Sequence, residues 1–236
     1  MPSWRGLYTD FLGGIVTSKR LGGAATGTAG DRNELMVGGH GRVPAVGFEW
    51  HVKGTQTILA PVPSAQGLDV NQDQTDNDGI ELTNGILFDA DRPHSFNAGD
   101  EAFFCRLVVN VGDVSGTDDL VFGFRKAEAY QANVDDYDEL AGLQINGTVV
   151  NQHTILNNAA TVETATAAVA ADGVDIELEV RVDKARAVTF WVDGVDRSKA
   201  TYSFDDDEKV VPFLFFLNAV DVADVVALKE WEVGLQ

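Results

Sequence analysis

Residues 174–182, VDIELEVRV, alternate apolar and charged side chains without a break. Val174, Ile176, Leu178, Val180 and Val182 share one face, and Asp175, Glu177, Glu179 and Arg181 share the other. A period of two belongs to an extended strand with one buried and one wet face, and to no helix. The next segment, AVTFWVDGVD, repeats the pattern through Val188, Phe190 and Val192 and then turns at Asp193–Gly194, a dipeptide suited to tight hairpins. The two strands are expected to pair antiparallel through a turn near Lys184–Ala185. Their register is strongly fixed, because a one-residue slip would bury Asp175, Glu177 and Glu179 and expose Ile176 and Leu178.

Further strands are predicted at 103–111, 119–127, 139–145, 210–219 and 225–235. The Ala-rich stretch 159–171 could make a helical turn, but its Thr and Val content argues for a loop or a strand edge. The run Phe213–Leu217 is apolar at every position and reads as a core or interface strand, with burial expected on both faces, as at a subunit contact. Short strands at this spacing imply an all-β jelly roll of two antiparallel sheets. A chain of 236 residues suits one such domain.

The first part of the chain differs. Residues 1–47 hold eleven of the 24 glycines, and GGAATGTAG (22–30) buries too little area to offset the entropy of ordering it. This segment is expected to be an extended arm preceding a jelly roll at 48–236, with Trp4, Leu7, Tyr8, Phe11, Leu12 and Ile15 as anchors for a capsid or subunit surface. The opposing expectation is that the arm packs on its own domain. The net charge of −20 is uneven. Residues 1–60 carry six basic and four acidic side chains, and the remainder eleven and thirty-three. An acidic body repels phosphate backbones, which argues against nucleic acid. No stretch approaches the ~18 apolar residues of a membrane helix, and MPSWRGLYTDF lacks the apolar core of a secretion signal. Cys105 is the only cysteine, which excludes an intrachain disulfide and fits a reducing cytoplasm.

Three constellations invite a chemical reading. LDVNQDQTDNDG places Asp69, Asn71 and Asp73 at the spacing of a helix–loop–helix calcium loop, but Gln74 and Ile80 stand where Gly and Glu are needed. A turn accounts for it, with an irregular site on Asp73, Asp76 and Asp78 as the alternative. VDDYDEL (134–140) sets Asp135, Asp136 and Asp138 around Tyr137, acids and an aromatic that could hold calcium or stack a sugar, or form a plain polar loop. SFDDDEK (203–209) reads as an exposed hairpin tip. The four histidines are dispersed, GGHGR lacks the GK[ST] of a phosphate loop, and no GxSxG occurs. Neither a cofactor nor a tight metal is expected. Asn146–Gly147–Thr148 is read as a turn.

VTFWVDG, PFLFFLNA and ALKEWEVGL resemble the concanavalin A-like jelly roll of legume lectins, laminarinases and LamG domains, over about residues 65–236. The E-x-D-x-x-E signature of the laminarinase type is not matched at Asp175–Glu179, so the chain is expected not to be an enzyme. GLYTDFLGG, DNDGIEL, DVSGTDDLVFGFRKAEAYQANVDDYDE and WEVGL resemble structural proteins of tailed, especially marine, bacteriophages. That resemblance implies a virion component made in the host cytoplasm. The expected role is capsid decoration or cement, bound to the major capsid protein and to neighbouring copies as a homo-oligomer, with a trimer the favoured form. The alternative is a lectin-like module for host glycans, and the third option a glycan hydrolase.

Overall fold

A computed structural model describes residues 17–20, 49–54, 62–63, 66–71, 75–83, 95–219 and 225–236. The arm anchors Trp4, Leu7, Tyr8, Phe11, Leu12 and Ile15 lie outside these residues. The described chain is a sandwich of two antiparallel sheets. Sheet A runs β14 (Val195–Asp196), β13 (Val188–Val192), β12 (Asp175–Val182), β7 (Phe103–Val111), β16 (Val226–Leu235), β4 (Leu68–Asp69) and β3 (Val62–Pro63), with β1 (Thr17–Arg20) also on β16. Sheet B runs β11 (Val162–Val169), β10 (Val149–Ile155), β9 (Leu140–Asn146), β8 (Thr117–Lys126), β15 (Lys209–Asn218), β5 (Gly79–Thr83) and β2 (Glu49–Lys53), with β6 (Phe96–Asn97) also on β15.

The predicted hairpin is present, with Leu178 opposite Val192 and Val182 opposite Val188. Asp193 and Gly194 both have positive φ, 51° and 72°, as a type I′ turn requires. Inward residues of both sheets form the main core, among them Leu107, Val109, Leu178, Val180 and Phe190 from sheet A and Phe122, Phe124, Leu143 and Phe216 from sheet B. Phe122 meets Trp231 edge-on at 5.0 Å, joining the sheets near their centre.

One expectation needs correction, and two alternatives left open by the sequence are decided for the described residues. Phe213, Phe215 and Leu217 are buried on the outer face of sheet B, but the chain itself covers them. Val134 and Tyr137 of the segment 127–139 fold over that face and close a second small core with Val121, Leu140 and Ile155. No subunit contact is needed to explain the double-sided burial of β15. The Ala-rich stretch is strand β11, the outermost described strand of sheet B. Thr17–Arg20, placed in the arm from sequence, pairs with Glu230–Val233 of β16, so this part of the arm completes the domain's own sheet.

Candidate functional site

The outer face of sheet B divides into a roofed half and an open half. Under the roof lies a buried charge cluster. The Glu81 carboxylate accepts from Arg125 Nε at 2.7 Å, pairs with Lys53 Nζ at 2.8 Å and accepts from the Tyr137 hydroxyl at 2.6 Å. All four side chains are buried. Two cations face one carboxylate, and aromatic rings supply the balance: the Arg125 guanidinium stands 4.5 Å from the Tyr137 ring centre, and Lys53 Nζ 4.9 Å from that of Phe215. Lys53 also donates to the Gln131 carbonyl. Burial lowers the Lys53 pKa against the pull of Glu81, and burial raises that of the Tyr137 phenol. These bonds reach the segment 127–139 from β2, β5 and β8 and fix it on the sheet. Tyr137 is therefore a structural anchor. Fully buried, it offers no ring face to a sugar.

The other half, called the open half for its exposed Glu163 and half-buried Asp119 and Asn151, spans β8 to β11. Leu143 and Ile145 point into the core, so Gln144 between them points out. Gln144 Nε2 donates to Asp119 at 3.0 Å and to Glu163 at 2.9 Å, and its Oε1 accepts from Asn151 Nδ2 at 3.0 Å. Gln144 itself is buried, while Asn151 and Asp119 are half-buried and Glu163 is exposed. One row further along, the buried His153 ring lies between two carboxylates, with Nε2 3.4 Å from Asp135 and Nδ1 3.6 Å from Glu163. Asp135 also accepts from Thr161 at 2.7 Å. The adjacent His153 ring first, then the hydrogen bond from Thr161, holds the Asp135 carboxyl below its ordinary pKa. Asp135 thus ties the roof to the near end of the strip.

The other acids of VDDYDEL are separately engaged. Asp136 accepts from Asn133 at 3.3 Å, and Asp138 lies 3.6 Å from Lys126. They do not converge with Asp135. Among the described residues no group of three or more His, Cys, Asp or Glu side chains is placed to hold a metal ion. In the earlier acidic run, Asp69 accepts from the Asn71 amide at 2.9 Å, and Asn71 accepts from Asn218 at 2.9 Å. Asp73 lies outside the described residues. The face of Asp175, Glu177 and Glu179 is paired rather than open. Arg106 meets Glu177 at 2.5 Å, Glu232 at 2.7 Å and Glu230 at 3.3 Å, and Arg181 meets Glu179 at 2.7 Å while stacking on Trp191.

Beside the roof, Glu139 is buried and its Oε2 has no hydrogen-bond partner. Burial first, then the charges of Glu208 and Asp205, push its pKa up from 4.5 to about 7. The folded chain then keeps a proton that the unfolded chain releases, so stability falls as pH rises from 4.5 to about 7. Glu139→Gln removes this loss. It should match the native protein at pH ~5 and exceed it at pH ~8 by about 1–3 kcal/mol. Thermal melts at both pH values check this, and a difference independent of pH would contradict it.

No family model matches the chain, and no curated protein matches it. Solved structures do. The carbohydrate recognition domain of Emp47p aligns with a TM-score of 0.53 and 11% identity, covering 85% of this chain and 93% of that one. The exoplasmic/lumenal domain of VIP36, solved with Ca2+ and Man3GlcNAc, aligns at 0.55 and 9%, covering 80% and 83%. A protein of unknown function from Shewanella oneidensis MR-1 aligns at 0.55 and 12%, covering 97% and 90%. The chain has the concanavalin A-like jelly-roll fold. At such identities the likeness concerns the fold alone.

Sequence reasoning missed the strip. β10 reads VVNQHTI, with polar residues at both parities, because Gln152 faces inward and accepts from the Lys199 and Ala200 amides. The usable signal was a polar Gln144 between two apolar residues in a strand.

Proposed function

We propose that the protein is a lectin-like glycan-binding module, and that Asp119, Asn151 and Glu163, held in place by the buried Gln144 beneath them, are its binding face. The carrying observation is the mutual hydrogen bonding of these planar side chains at 2.9–3.0 Å on an outward sheet face. Gln144 spends its amide on this network, so the Asp119 and Glu163 carboxylates and the Asn151 amide are already held in place for sugar hydroxyls, with little ordering left to do on binding. The fold shared with a carbohydrate recognition domain supports the same choice. Binding rather than catalysis fits the remaining acids, since Glu177, Glu230 and Glu232 are committed to Arg106. In the virion setting implied by the sequence resemblance, such a face serves host attachment.

The test is a panel of immobilised bacterial and eukaryotic glycans. The native protein should retain a subset, and Asn151→Leu or Glu163→Ala should weaken that binding at least ~10-fold, as expected for losing one or two hydrogen bonds, with melting unchanged. No retention across the panel, or equal retention by both variants, overturns the assignment.

A further inference from the structure

We propose that the open half of sheet B selects glycans that carry an unacetylated, positively charged amino sugar. This preference rests on the glycan-binding reading and names its ligand class. The carrying observation is that the side-chain donors of the face are largely spent while its carboxylates are not. A primary amide has two N–H groups, and Gln144 commits both, to Asp119 and to Glu163. Asn151 Nδ2 gives one of its two to Gln144. The Thr161 hydroxyl donates to Asp135. No lysine or arginine occurs in β9, β10 or β11, which read LAGLQIN, VVNQHTI and VETATAAV. Against this, the Asp135 side chain is 59% exposed and that of Glu163 44%.

His153 defines the acidic end of this face. Its ring is wholly buried between the two carboxylates, and at 3.4 and 3.6 Å neither nitrogen makes a hydrogen bond. Thr161 and His153 both meet Asp135 at Oδ1, and Gln144 and His153 both meet Glu163 at Oε1. Asp135 Oδ2 and Glu163 Oε2 therefore have no partner among the described residues and are left to a ligand. Asp135, held below its ordinary pKa, keeps its charge. An ammonium brings three N–H donors and a full positive charge, and forms the charge-assisted bonds that such oxygens accept. N-acetylation removes that charge and adds a carbonyl, which asks for a donor the face has mostly spent. A uronic acid, a sialic acid or a phosphorylated sugar brings negative charge to strands without lysine or arginine, on a body of net charge −20.

The test is isothermal titration of the full chain with a glucosamine oligomer, the same oligomer N-acetylated, and a uronic acid oligomer of equal length. Glu163→Gln and Asp135→Asn remove one charge each and keep the shape, at side chains exposed enough that melting should not change. Glu101→Gln is the control, since Glu101 is 65% exposed, precedes β7 of sheet A and lies outside the strip. The native protein should bind the amine form at least ~10-fold more tightly than the acetylated form, as expected for a hydrogen bond to a charged group, and the uronic acid form most weakly. Each strip variant should lose about 10-fold in affinity for the amine form and less for the acetylated form. Glu101→Gln should keep the native preference, which separates the strip from the general attraction of an acidic body for cations. Equal affinity for the amine and acetylated forms, tightest binding of the uronic acid form, or a preference that survives in both strip variants overturns the inference and leaves the glycan-binding reading in place. No binding of any glycan, in solution or on the immobilised panel, overturns both.

Discussion

Glu81→Ala is expected to destabilise the protein by about 3–5 kcal/mol, because it strands Lys53 and Arg125 as uncompensated buried charges. For a chain of this size that corresponds to a fall in melting temperature of roughly 6–20 °C. The Tyr137 hydroxyl loses its acceptor in the same step, so the 127–139 roof should become sensitive to limited proteolysis. Replacing Glu81, Lys53 and Arg125 together by apolar residues of similar volume should cost less than Glu81→Ala alone, since no charge is then left buried. Denaturant titration of the single and triple variants decides the matter. A single-site loss under ~1 kcal/mol would mean that the cluster is solvated and does not anchor the roof.

Gly79→Ala is expected to cost about 3 kcal/mol or more, at the upper end for overpacked sites. A Cβ on Gly79 would stand 1.8 Å from the Phe216 carbonyl oxygen and 2.9 Å from Leu217 Cα. Both obstacles are backbone, so no side-chain rotation relieves them. β5 would have to leave β15, breaking the Gly79–Leu217 and Ile80–Phe216 pairing that holds Glu81 in place. Gly147→Ala is the control. Its φ of 56° makes alanine strained, but nothing lies within 4 Å, so the cost should be about 1–2 kcal/mol. Equal stability of the two variants would contradict the packing described for β5 and β15.

The contrast between these sites also shows how far the sequence could be read. β7, β12 and β13 were legible because one face of each is apolar and the other polar, and that alternation is local. β10 was not, since inward Gln152 and outward His153 blur the period. The roof was half legible. An apolar run on both faces of β15 announces a cover, but whether chain or partner supplies it depends on contacts distant in sequence. Val134 and Tyr137 in an otherwise acidic loop were the available clue. The charge cluster left no local trace, because Arg125 and Glu81 meet from 44 residues apart. The polar strip is likewise assembled by register: Gln144 meets Asn151 only because the β9–β10 hairpin pairs them.

The central claim, that the open half of sheet B binds glycans, is tested most directly by amide chemical-shift mapping of the native protein during titration with a glycan retained on the panel. The expected result is a set of shifts at Gln144, Asn151, His153 and Glu163, with Glu177, Trp191 and Glu232 on the outer face of sheet A unmoved. Shifts confined to sheet A, or none with any retained glycan, would contradict it.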